Sequence, residues 1–172
     1  RDTDRSRGLG DVYKRQRLAK AGVSRVVLGT TLVTDQEFAK QALDSFPDLL
    51  TAGIDAKNGE VAVAGWREGA GVPAEELIVE VGKLGFKHLV YTDISRDGMR
   101  TGIDANRYVE VARVFGHPVI ASGGVGKLEH FAEGILDGEA DAVLAASVFH
   151  FGELTIKEVK EYMRSQGIPV RL

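Results

Sequence analysis

Two carboxylates and three small-residue turns carry the chemistry this sequence can do. Asp55 closes an apolar run in GIDAKNG, and Asp97 follows another in YTDISRDG. Carboxyl groups at the ends of separate runs can share general acid–base work when their surroundings push their pKa values apart. An aspartate in a glycine turn also serves simply as an Asx-turn residue. Thr92 and Asp93 end the run before Asp97, with Asp93 placed as a strut for the Asp97 loop. Ser122-Gly123-Gly124 and Ala146-Ser147 end two later runs, and Gly29-Thr30 ends the first. Backbone N–H groups bared at strand-to-helix turns bind phosphate, so these turns are candidate phosphate cradles as well as plain tight turns. Trp66 stands beside Arg67 in the Gly-rich stretch 62–73. There a tryptophan either stacks on a ligand as part of a lid or folds back on its own loop. The 4 histidines show no metal-ligand spacing and read as solvated or core side chains, so no metal is expected.

These residues need strands ending beneath them, and five apolar runs supply such ends. They are RVVLGT (25–30), LLTAGIDA (49–56), HLVYTDI (88–94), PVIASGG (118–124) and AVLAASVF (142–149). Each is apolar on both faces, as a parallel strand covered on both sides must be. Amphipathic stretches between them predict helices over 36–46, 74–84, 105–115, 127–137 and 155–166. Thr34-Asp35 and Asp104 are placed to cap the first and third, and Gly167 and Pro169 to stop the last. Strand–helix units in series predict a parallel α/β fold with right-handed crossovers. No G-x-G-x-x-G follows the first run, as a doubly wound dinucleotide fold requires. Polar strand ends and about 31 residues per unit favour a partial TIM (β/α)8 barrel instead. The expectation is strands 4–8 with their helices, strands 1–3 missing.

Composition narrows the function classes. The 172 residues are 44% hydrophobic and 27% charged, with a net charge of −3, which is ordinary for a globular chain. That balance offers no basic footprint for nucleic acid or anionic membrane, so neither is expected as a partner. The absence of cysteine excludes a disulfide scaffold, a thiol nucleophile and a cysteine-held metal or iron–sulfur site. No apolar run reaches the roughly 18–20 residues of a membrane span, which predicts a cytoplasmic protein. Residues 1–16, RDTDRSRGLGDVYKRQ, follow neither helical nor strand period and lack a signal peptide's apolar region. They are expected to be a non-native or disordered leader, with 17–172 as five βα units.

Residues 17–172 resemble the paired (β/α)8 barrels of histidine biosynthesis. Over 17–115, GIDAKNGEVAVAGW and YTDISRDGMRTG are similar to ProFAR isomerase, Trp66 included. Over 118–172, IASGGVGKLEHF, ADAVLAASVFHFGE and GIPVRL are similar to the cyclase subunit of imidazole glycerol phosphate synthase. Ala146-Ser147 stands where the isomerase carries a Gly-Arg or Gly-Lys pair, and the changeover falls within 104–126. The resemblance implies catalytic roles for Asp55, Thr92 and Asp97. It assigns one phosphate to Gly123, Gly124, Ala146 and Ser147, beside the Ser122 of the same turn, part of the other to Gly29 and Thr30, and substrate stacking to Trp66.

The implied substrate is a bis-phosphorylated ribonucleotide, rearranged from an aminoaldose to an aminoketose without metal or organic cofactor. The cyclase alternative closes an imidazole with ammonia from a glutaminase subunit. The family's second acid–base aspartate belongs to strand 1, so the resemblance implies that this chain alone lacks turnover. An opened barrel leaves two strand edges, which predicts self-association. An inactive phosphate-binding half-barrel or chimera stands as the third reading.

Overall fold

The computed structural model describes residues 22–63, 65 and 68–171; Trp66, Arg67 and the 1–16 segment lie outside the described residues. The strands are β1 (Val26–Leu28), β2 (Leu50–Lys57), β3 (Glu60–Val63), β4 (Glu68–Pro73), β5 (Leu89–Asp93), β6 (Val119–Ser122) and β7 (Ala142–Leu144). The helices are α1 (Thr31–Thr34), α2 (Gln36–Ser45), α3 (Ala74–Leu84), α4 (Ala105–Phe115), α5 (Leu128–Leu136), α6 (Ser147–His150) and α7 (Ile156–Ser165). Together they make an α/β fold on a mixed, seven-stranded sheet.

The parallel strands lie side by side as β1–β2–β5–β6–β7, each paired with the strand of the preceding unit. A doubly wound sheet must reverse its strand order at a switch point. This sheet does not reverse among the described strands, and its topology accords with a TIM-like family.

Alternation along the strands sends successive side chains to opposite faces. Tyr91 meets Tyr108 of α4 edge-on at 5.7 Å between ring centroids, which marks the helix-covered face. Leu50, Ala52 and Ile54 of β2, Leu89 and Tyr91 of β5, and Val119 and Ala121 of β6 point there, none more than 2% exposed. Burying a Leu or Ile side chain contributes about 1.5–3 kcal/mol, so this layer is the main stabilising core. The opposite face holds Val27 and Leu144, 54% and 44% exposed.

The helices start where the sequence places their caps. The Asp35 carboxylate accepts from Phe38 N at 3.0 Å, and Asp104 from Arg107 N at 3.2 Å. Thr155 and Glu158 form a reciprocal capping box at the start of α7.

Two stretches depart from the sequence expectation. The run 142–149 is not one strand. β7 stops at Leu144, and Ser147–His150 turns into α6, with His150 N bonded to the Ala146 carbonyl at 2.9 Å. Val148 is fully buried there, and a short apolar run cannot tell a buried strand from a buried helical turn. The Gly-rich stretch after β2 is a hairpin rather than a loop. β3 pairs antiparallel with the end of β2, matching Ala56 to Val61 and Lys57 to Glu60. The turn between them, Asn58-Gly59, has φ of 53° and 84°, the left-handed pair that a tight hairpin requires.

Candidate active site

The strand register lines up one row of side chains at the carboxyl ends. Asp55 is matched to Thr92, Thr92 to Ser122, and Ser122 to Leu144. Registered partners share a face, and these lie opposite the helix-facing Ile54, Tyr91 and Ala121. Asp55 and Thr92 are therefore neighbours on the open face, one strand spacing of about 4.8 Å apart. Two positions back along β2, Gly53 faces the same way. A Cβ there would come within 2.5 Å of Val27 Cγ1, so glycine is what lets β1 close on β2 beneath Asp55.

A small cleft flanks each end of this row. The first, about 80 Å³, joins Gly29 and Thr30 to Asp55 and to the hairpin residues Val61, Ala62 and Val63. The second, about 90 Å³, lies between the ends of β6 and β7, where Gly123, Gly124, Ala146 and Ser147 meet Asp97. Each has room for a few waters or one compact anion. The structure thus gathers ten of the eleven proposed site residues, all but Trp66, along one edge of the sheet. It separates the two aspartates: Asp55 borders the first cleft and Asp97 the second.

The second cleft is built by two loops pressed together. Gly123 and Gly124 have φ of 105° and 88°, and a side chain on either would strike the backbone carbonyl of Asp93 or Gly102 respectively. Gly102 N donates to the Gly124 carbonyl at 2.9 Å, locking the β5–α4 loop to the β6–α5 turn. Glycine is thus required here by packing before any ligand is considered.

Asp93 acts as the strut that its position suggests. Its carboxylate accepts from Ser95 N at 3.0 Å, and its carbonyl accepts from Asp97 N at 3.1 Å. Arg100, with φ of 60°, packs against Gly126 and ion-pairs with Glu153, so that the loop is clasped to the segment after α6.

His130 is a core histidine. It is 5% exposed, and its Nδ1 accepts from Gly126 N at 3.1 Å, which pins the turn ahead of α5 from beneath. Among the described residues, no group of three or more His, Asp or Glu side chains can hold a metal ion. No helix of the described residues is long and apolar enough to cross a membrane.

Two contributors escaped the sequence reading. The β3 strand walls the first cleft, and its signal was the Asn-Gly pair between alternating residues. Tyr108 reads in sequence only as one more apolar position of α4, yet its hydroxyl reaches Ser122 at the sheet edge.

These features define a class: an α/β protein on a mixed sheet, with anion-sized clefts at the carboxyl ends of its parallel strands. A family model described as "Histidine biosynthesis protein" matches residues 6–155. The chain belongs to this family of histidine-biosynthesis enzymes.

Proposed function

We propose that the described units are the fourth to eighth of a histidine-biosynthesis (β/α)8 barrel, and that their strand-end row serves the ProFAR isomerase reaction. The carrying observation is the row Asp55–Thr92–Ser122 with a small cleft at each end. Three strand spacings, about 14 Å, separate the clefts along the sheet. A ribonucleotide phosphorylated at both ends would lay one phosphate in each and its ribose across Thr92.

In this reading an acid protonates the ring oxygen of the aminoaldose, and the ring opens to a Schiff base. A base then removes the C2 proton, giving the enolamine that becomes the aminoketose. Asp55 takes one of these roles. Thr92 holds the ribose beside it, and Asp97 completes the reacting set from the second cleft. Trp66 stacks on the substrate. No second carboxylate stands in the row among the described residues, so in this reading the chain's turnover needs a partner carboxylate from outside the row. Its site lies in the cytoplasm, and the outer edges of β1 and β7 lead it to self-associate.

One feature favours the cyclase instead. Ala146-Ser147 at the second cleft departs from the isomerase's Gly-Arg or Gly-Lys pair, and a cyclase would bind a glutaminase subunit. The deciding experiment fuses residues 17–172 behind strands 1–3 of an isomerase and asks which histidine auxotroph is rescued. Rescue of the isomerase-deficient strain alone, lost with Asp55→Asn, is expected. Rescue of the cyclase-deficient strain alone would transfer the assignment to the cyclase. Rescue of neither by a folded fusion would leave an inactive phosphate-binding half-barrel.

A further inference from the structure

Tyr108 has no exposed surface, yet its hydroxyl leaves the helix layer and enters the sheet. It donates to the Ser122 carbonyl at 2.6 Å and accepts from Ser122 N at 3.1 Å; the Tyr91 carbonyl, 3.1 Å away, is the alternate acceptor. The phenol therefore bridges the carboxyl ends of β5 and β6, between the residue before Thr92 and the residue before Gly123. Burial pushes its pKa well above that of an ordinary tyrosine, so it stays a neutral donor.

The peptide that follows Ser122 inherits this constraint. A trans peptide is planar, with its C=O and the next N–H pointing in opposite directions, and no cis peptide occurs among the described residues. Holding the Ser122 carbonyl toward Tyr108, on the β5 side, turns the Gly123 N–H toward β7. That is where Ala145, Ala146 and Ser147 line the second cleft.

We infer that Tyr108 is a positioning residue for anion binding, its hydroxyl fixing the Ser122–Gly123 peptide so that the Gly123 N–H is aimed into the cleft. The inference rests on the phosphate reading of that cleft and adds a residue that does not touch the ligand. A hydrogen bond from a correctly aimed N–H to an ionised oxygen is among the stronger ones, so losing the aim carries a measurable penalty.

The test titrates inorganic phosphate into the full 172-residue chain, labelled with nitrogen-15, and follows backbone amide shifts. Three forms are compared: unaltered, Tyr108→Phe and Val111→Ala. Phenylalanine keeps the ring volume and the edge contact with Tyr91. Val111, 1% exposed on the same helix, supplies a control for lost packing. The expected result is a Gly123 amide shift in the unaltered and Val111→Ala chains, with phosphate affinity about tenfold weaker in Tyr108→Phe and its Gly123 response lost.

Equal affinity in Tyr108→Phe and the unaltered chain overturns the inference, as does equal weakening by Val111→Ala. No phosphate response in the unaltered chain brings down the phosphate reading itself and the inference with it. Should Tyr108→Phe fail to fold, an ester in place of the Ser122–Gly123 amide removes that N–H and weakens the Ser122 carbonyl that Tyr108 holds, with every side chain kept. It must then weaken phosphate about tenfold, and unchanged affinity overturns the inference.

Discussion

The two faces of the parallel sheet are built from alternate residues of the same strands, and they meet different demands. On the helix side, Leu50, Ile54, Leu89 and Val119 are within 1% of complete burial. On the other side, the same strands present Thr51, Gly53, Asp55, Thr92 and Ser122, which are small or polar, with Val90 and Ile120 in the layer below the carboxyl ends. The first face is filled for packing. The second carries its carboxylate and hydroxyl groups at the carboxyl end, where the proposed ligand would lie. A residue's effect on stability and its effect on chemistry should therefore separate by face, even between chain neighbours.

Ile54 and Asp55 make the sharpest trial of this division. Asp55→Asn is expected to lower turnover of the completed barrel by about 10²–10⁴-fold, the usual worth of a general acid or base. Steady-state kinetics on the fused enzyme would show it, and near-normal turnover would remove Asp55 from the chemistry. Ile54→Ala should do the reverse. It opens a cavity in the helix-covered core and costs about 3 kcal/mol, or roughly 6–12 °C in Tm for a chain of this length. Thermal melts decide the matter, and an Asp55→Asn melt falling as far as that of Ile54→Ala breaks the division.

Thr51 tests the open face from a different direction. Its Oγ1 is buried without a hydrogen-bond partner among the described residues. Thr51→Val replaces the hydroxyl with a methyl of nearly the same shape and should raise stability by about 1 kcal/mol in denaturant titration. A loss of that size would mean that the hydroxyl is satisfied in solution.

The smallest effect lies outside both faces, ahead of β5. Burial lowers the His88 pKa, and the Arg25 guanidinium, 3.0 Å from Nε2, lowers it further. The folded value thus sits below the unfolded one, near 6.5. The neutral ring's contribution is present above pH 6.5 and is lost as pH falls through the folded value. His88→Gln should flatten the Tm profile between pH 7.5 and 5. An unchanged slope would assign the pH dependence to other groups.

Much of this was legible in the sequence, because parallel strands and their helices leave strong local signals. The runs at 49–56 and 88–94 became β2 and β5 within one or two residues, and Asp35 and Asp104 cap the helices they precede. The cleft residues were legible because they sit just past strand ends. Pairing between distant segments was not. Whether 142–149 stayed extended depended on where Val148 could be buried, and the fold of 60–73 on an antiparallel match to β2. The hydroxyl of Tyr108 was invisible for the same reason, since its partner lies 14 residues away across the sheet.

The unbroken strand order also bears on how the chain comes into being. Each parallel strand finds its partner in the unit made just before it, so no strand must wait for a distant segment to emerge. A ribosome delivering about 5–20 residues per second could therefore lay down the sheet one unit at a time, each new ladder templated by the last. The same adjacency makes the boundary between units a tolerant place for genes to be cut and rejoined, because a crossover there disturbs one ladder and leaves the others whole.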